Sequence, residues 1–322
     1  MDKSGTYIPI DLKTIQPETV VGCDVFIETG VDNKIRYVLY NSATSVIKSS
    51  KIEDLRKYDV RRLFIRSEDK KKYLQYTEAN LKNIIRDKNT DIKVKAEIVY
   101  EVAKGIMFDV FEQPRSKEQL ERTKVWTANI VEFALRHEDF FTNIVNLISY
   151  DYTTYSHSVN VSIYGLFFAK YLKFDSKELH VLATGLLLHD IGKTQIEHEI
   201  LNKRGKLTKD EFERIKMHVE LGVENIIQSG CFESIAVIPV LQHHEKCDGS
   251  GYPKGIRGEM LHKYGKLAGI VDVYDALTTR RSYAFAQSPF PALRVMSDEM
   301  KGSFDVDLLK HFVLFLGSNK IK

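Results

Sequence analysis

Cysteine is scarce in this chain and has no pattern. Cys23, Cys231 and Cys247 are odd in number and form no CxxC pair. That argues against a disulfide framework and a thiolate zinc site, and for a reducing compartment. An excess of either charge is also lacking. Lys and Arg number 47 against 44 Asp and Glu, a net +3 over 322 residues. Binders of nucleic-acid polymers gather far more positive charge on one face, so that class is not expected. The longest basic run, Lys70-Lys71-Lys72, reads as a solvated helix face. No segment approaches the roughly 18 apolar residues of a membrane span; residues 163–172 are too short and contain Lys170. Met1 is followed by Asp, Lys, Ser and Gly, which is not a signal peptide. The expectation is a cytoplasmic protein with no membrane partner.

The length suggests two domains, each able to bury a core. The expected division is a small α/β regulatory or interaction domain over residues 1–110 and a helical domain over 111–322. In the first, residues 20–27 and 35–40 alternate as strands, with 29–34 as the turn between them. Residues 52–57 read as a short helix and 62–65 as a strand. Ser67 is placed to cap a helix running to about Arg86, with Glu68 and Asp69 in its first turn. No phosphate loop or ligand cluster appears here, and a homodimer contact or a protein partner is the expected use of this domain. Residues 111–115 read as the end of a linker. From Lys117 the apolar spacing is helical almost to the C-terminus.

The informative stretch is Leu186 to Lys193, LLLHDIGK. An apolar run meets His189 and Asp190, and Gly192 then breaks the helix predicted over residues 176–191. Adjacent His and Asp offer an imidazole and a carboxylate to one metal ion or to two neighbouring ions; a buried His–Asp hydrogen bond is the plainer alternative. Four other stretches favour the metal. His157 precedes the motif, and His218, the pair His243-His244 and Asp272 follow it. The gaps are 32, 29, 25 and 28 residues (157 to 189, 189 to 218, 218 to 243, 244 to 272). Each suits the rest of one helix, a loop and the start of the next. Packed helices would then direct one or two ligands each into a common centre, as dinuclear helical bundles do. Imidazole and carboxylate without thiolate suit iron, manganese or zinc.

Several neighbours carry weaker signals. Lys193 either complements a helix end or faces a substrate phosphate. Thr208 and Glu211 form a capping box that opens a helix with Phe212, Ile215, Val219, Val223 and Ile226 at core spacing. After His243-His244, Glu245 could orient a ligand histidine. Asp248 is expected to accept amides of its own loop. Tyr252 could stack on a base, meet a phosphate through its hydroxyl, or pack on Pro253. Asp275 lies three residues after Asp272 in an apolar helix, so it needs a buried partner. Arg280 and Arg281 follow at the end of that helix, where one can serve the dipole and one a phosphate.

Together these stretches resemble the HD-GYP phosphodiesterases, a branch of the HD superfamily. The resemblance rests on His157-Ser158, His189-Asp190-Ile191-Gly192-Lys193, Gly205-Lys206-Leu207-Thr208, His218, His243-His244-Glu245, the loop with Gly251-Tyr252-Pro253, and Asp272-Val273 with Asp275-Ala276-Leu277-Thr278. Residues 1–110 resemble, more loosely, the small domain that precedes some members. The implied fold is mainly α: an HD-type helical bundle with a dinuclear metal site, behind the α/β domain. The implied activity is metal-dependent hydrolysis of cyclic di-GMP to linear pGpG, GMP or both, using two divalent ions, iron or manganese. The implied ligands are His157, His189, Asp190, His218, His243, His244 and Asp272, with Asp190 bridging and central to catalysis. Lys193 and Arg281 would hold substrate phosphate, with Lys193 also catalytic, and Tyr252 would contact substrate. Ala284 stands where the family usually has a basic residue, and Lys246-Cys247 where it has Arg-Trp. A cyclic-dinucleotide receptor that does not cut, or an enzyme for another cyclic dinucleotide such as cyclic GMP-AMP, is the alternative. Some members bind a third ion through a Glu four residues before the first histidine; here that residue is Thr153, so two ions are expected.

Overall fold

The computed structural model describes residues 6–31, 34–148, 153–203, 205–279 and 287–319. The chain divides into two compact units, residues 1–105 and 106–322.

The first unit is built on a four-stranded antiparallel sheet. Its strands are β1 (Tyr7–Asp11), β3 (Val25–Val31), β4 (Lys34–Asn41) and β6 (Arg62–Arg66), in the order β1-β6-β3-β4. β2 (Thr19–Val20) and β5 (Val46–Ile47) pair separately. The inner face buries Ile10, Val25, Leu63 and Ile65 against Ile52 and Leu55 of α1 (Ser49–Lys57) and Tyr76 of α2 (Lys70–Ala79). α3 (Leu81–Arg86) and α4 (Ile92–Glu112) follow.

The strand expected over residues 20–27 is broken. Gly22 takes a φ of +82°, and the chain re-enters the sheet only at Val25. Thr29, Gly30 and Val31 belong to β3 rather than to a turn. Ser67 caps nothing: Arg66 precedes a single 3₁₀ turn, and Asn80 separates α2 from α3. The linker expected at 111–115 is instead the last turn of α4 and a short bend, and the division between units falls inside that helix.

The second unit is helical. α5 (Lys117–Arg136), α6 (Phe140–Val145), α7 (Thr154–Tyr171) and α8 (Ser176–Leu187) come first. A 3₁₀ turn, Ile191–Gln195, leads to α9 (His198–Leu201), α10 (Lys209–Lys216), α11 (His218–Ser229) and α12 (Val237–Gln242). α13 (Lys263–Thr278), α14 (Pro289–Arg294) and α15 (Val306–Ser318) close it. α7 is buried almost all round, from Ser156 to Ala169, which marks a central helix rather than an amphipathic one. Close approach depends on glycine at the crossing of α7 and α8: a Cβ on Gly165 would stand 2.1 Å from Leu186 Cδ1. No helix among the described residues is long and apolar enough to cross a membrane.

Candidate metal centre

α8 ends at Leu187, so His189 and Asp190 occupy the tight turn after it rather than a last helical turn. Reversing the backbone there aims both side chains inward. The 3₁₀ turn that follows lies directly on the start of α11, where His218 is the first residue. His243 and His244 follow the last turn of α12. His157 lies in the first turns of α7, behind a capping box between Thr153 and Ser156. Asp272 projects from the middle of α13.

All seven predicted ligands come together, in two neighbouring sets. One is Asp190, His218, His243 and His244; the other is His157, His189 and Asp272. Asp190 stands between them. Its Oδ2 lies 3.5 Å from His189 Nε2 and 3.7 Å from His157 Nε2, and its Oδ1 lies 3.5 Å from His218 Nε2 and 3.8 Å from His243 Nε2. Asp272 spans the sets as well, with Oδ1 3.0 Å from His157 Nε2 and Oδ2 3.8 Å from His244 Nδ1.

The donor chemistry fits divalent cations. The Nδ1 atoms of His189, His218 and His243 lie within 2.6–2.9 Å of the Leu186, Ile215 and Val240 carbonyls, and His157 Nδ1 lies 2.7 Å from Asp275 Oδ2. A proton on each Nδ1 donates to that oxygen, which leaves the Nε2 lone pair facing the centre. Two such lone pairs, on His218 and His243, are then only 3.3 Å apart, a repulsive arrangement that a cation relieves. His189 Nε2 and Asp190 Oδ1 are buried with no hydrogen-bond partner. Ligands about 2.1 Å from one ion stand about 3.0–3.4 Å from each other, close to the separations found here.

Electrostatics keep the donors in their ligating forms. Burial pushes His218 down to about 4 and His244 to about 3, and holds His189 and His243 below the ordinary imidazole range. Burial also pushes the Asp190 carboxyl upward, but Lys193 and the surrounding histidines outweigh it and hold that carboxyl well below its usual value. Burial opposes ionisation of Asp272 too, and the bond and charge of His157 overcome it. At neutral pH His189, His218, His243 and His244 are therefore neutral, and Asp190 and Asp272 are charged.

The surrounding residues differ in part from expectation. Lys193 donates to Asp190 Oδ2 at 2.6 Å, so it touches the central carboxylate directly. Asp275 backs His157, as a buried acid in that helix needs. Glu245 orients no histidine: it accepts the Lys254 and Ile256 amides at 2.8 and 3.1 Å and holds the following loop. Asp248 accepts the Ser250 amide at 2.8 Å. Tyr252 lies against His244, ring centres 4.6 Å apart and tilted 33°. Burial and the charges of Asp190 and Asp272 raise its phenol, so it stays protonated. The Thr153 hydroxyl is engaged with Ser156 at the helix start. Arg280, Arg281 and Ala284 lie outside the described residues. Sequence spacing put Phe212 in the core, but the helix expected from Thr208 onward breaks at Met217 and leaves Phe212 43% exposed.

Residues 144–308, just over half of the chain, match the family model described as HD domain. The chain belongs to the HD-domain family, and the likeness to HD-GYP phosphodiesterases read from its motifs holds among its relatives. The cyclic di-GMP phosphodiesterase PA4108 of Pseudomonas aeruginosa is 34% identical over 183 residues, 57% of this chain and 44% of that protein. The 3'3'-cGAMP-specific phosphodiesterase 3 of Vibrio cholerae is 31% identical over 152 residues, 47% of this chain and 33% of that one. The chain thus spans less than half the length of these relatives. Among solved structures, Bd1817, a HDG"Y"P protein from Bdellovibrio bacteriovorus, superposes with a TM-score of 0.68 at 20% identity. The superposition covers 97% of this chain and all of that one, a likeness of fold.

Proposed function

We propose that this protein is a metal-dependent phosphodiesterase that hydrolyses cyclic di-GMP to pGpG, GMP or both. The observation that carries the proposal is the placement of Asp190, with one oxygen toward each set of histidines. His157, His189 and Asp272 would hold one ion, His218, His243 and His244 the other, and Asp190 would bridge them. Two divalent ions so held neutralise phosphoryl oxygens and bring the pKa of water near neutrality. Iron or manganese is the metal that the motif resemblance implies, and this donor set suits either.

The chain's own groups supply orientation and charge. Asp275 fixes the ring of His157, and carbonyls fix those of His189, His218 and His243. Lys193, its side chain 20% exposed, holds an ammonium beside Asp190, where it can stabilise charge building on phosphoryl oxygens. Arg281 is assigned the second phosphate contact from its place in the sequence motif. Among the seven ligands His244 is the most open, so substrate enters on its side, past Tyr252.

Names of relatives favour cyclic di-GMP, and relatives named for cyclic GMP-AMP support a second reading with the same chemistry and a different base. The test is anaerobic purification, metal analysis and product chromatography with both dinucleotides. Close to two metals per chain and turnover of cyclic di-GMP are expected. Binding without turnover at full metal content would make the protein a receptor instead.

A further inference from the structure

α10 is tied directly to the metal centre, since only Met217 separates it from the ligand His218. A large aromatic ring on such a helix would ordinarily be buried, yet Phe212 is among the exposed ones. Its ring meets Tyr252 edge-on, with centres 6.2 Å apart at 79°. Tyr252 in turn lies on His244 and stands 6.5 Å from His218. Lys216, one turn beyond Phe212, holds its ammonium 4.8 Å from the Phe212 ring centre and 5.6 Å from that of Tyr252, and pairs with Glu213 at 2.7 Å. An aromatic line therefore runs from the most open metal ligand outward and ends at Phe212. Tyr252 and Phe212 both meet Lys216 and each other, but Phe212 alone of the two is exposed, so it is the ring with surface to spare.

We infer that Phe212 is a stacking shelf for one nucleobase of the cyclic dinucleotide, fixed in place by Tyr252 and Lys216. The inference rests on the phosphodiesterase reading and adds a substrate contact to it. A cyclic dinucleotide whose diester sits at the metal centre must lead its bases away from that centre, and the open side near His244 leads past Tyr252 to α10. Every base has a π-face, so the shelf adds affinity without choosing the base.

The test uses the full metal-loaded chain and two probes: a hydrolysis-resistant phosphorothioate analogue of cyclic di-GMP, and inorganic phosphate, which has no base. Phe212→Ala should weaken the dinucleotide analogue by roughly 5- to 100-fold, the range of one lost base stack. Phosphate affinity and metal content should not change, and Phe212→Trp should restore dinucleotide binding. Equal dinucleotide affinity in Phe212→Ala, a parallel loss of phosphate, or failure of the Trp variant would overturn the shelf. Turnover of cyclic di-GMP by the unaltered protein is read separately. Its absence, with binding intact, sinks the phosphodiesterase reading and leaves the shelf to be judged on the affinities. No dinucleotide binding at all overturns both.

Discussion

Gly192→Ala is the smallest change expected to dismantle the metal centre. The 3₁₀ turn after Asp190 packs on the first turn of α11 with no room for a methyl group. A Cβ at position 192 would stand 1.9 Å from the His218 carbonyl oxygen, 2.6 Å from the Gly222 amide nitrogen and 2.8 Å from the His218 carbonyl carbon. These are backbone atoms, so no side-chain rotation relieves them. Ordinary contact begins at 3.4 Å; the turn and the start of α11 must therefore part by about 1.5 Å, the difference between 3.4 and 1.9 Å. Asp190 lies two residues before the glycine, and His218 owns two of the three atoms it strikes. Their facing atoms are 3.5 Å apart, while metal sites tolerate about 0.2 Å of error in ligand distance. The overpacking itself should cost about 1–3 kcal/mol of stability.

The assay pairs elemental analysis with urea unfolding. At least the ion held by Asp190, His218, His243 and His244 should be lost, with a lower unfolding midpoint. Gly317→Ala is the control: its Cβ meets nothing within 4 Å, and alanine in the α15 helix should match or slightly exceed glycine in stability. A Gly192→Ala protein with full metal content and the original midpoint would refute the packing argument.

Asp190→Asn should abolish hydrolysis and lower metal content while the fold survives, because a neutral amide cannot bridge two cations; normal turnover with a full metal complement would count against the bridge. Asp275→Asn should weaken metal binding about 10- to 100-fold, the usual loss when the group behind a ligand histidine is changed, with α13 still folded by circular dichroism; an unchanged metal affinity would show that His157 needs no anchor. The metal-free protein should lose stability as pH falls from 7 to 5. His218 and His244 titrate at about 4 and about 3 when folded and near 6.5 when unfolded, so the unfolded chain binds more protons in this window. Each histidine then costs about 2 kcal/mol by pH 5, and a urea midpoint that does not move between these pH values would contradict the burial of these rings.

Residue chemistry was more legible in the sequence than backbone path. Histidines and aspartates in apolar surroundings announce a buried polar centre, because each must find a partner. Helix ends were misjudged where burial continued through a turn. Leu188 and Ile191 are as buried as the helix before them, so the apolar pattern ran on although the backbone had already left the helix at Leu187. Across Met217 the apolar spacing alone joined α10 to α11, although Met217 is itself exposed, and drew Phe212 into a stripe it does not share. β1 was missed because it is short and finds its partner, β6, more than fifty residues away. α4 was missed as well, although Ala96, Val99, Ala103, Ile106, Met107 and Val110 are buried at helical spacing. Glu245 misled for a different reason, since its position beside two ligands suggested a partner and its real partners are amides of the next loop.

The charges around the candidate centre favour donors that act through cations. Among the described residues, Asp190, Asp272 and Asp275 lie within the cluster beside the ammonium of Lys193. With His189, His218, His243 and His244 neutral, the described carboxylates set this region against an anionic ligand. A phosphodiester is such a ligand, and in a low-dielectric pocket the repulsion is stronger than in water. Two divalent cations would reverse the sign, so the same carboxylates that would repel a substrate would become the means of attracting it. The geometry suits that reversal, since each oxygen of Asp190 faces a different set of histidines and one side chain can serve both ions. Lys193 donates to Asp190 Oδ2, so its charge would add to that of the ions rather than stand apart from it. On the proposed reading metal binding and anion binding at this site would be linked, and residues such as Asp275 and Gly192 would act on both by holding the donors where the cations need them.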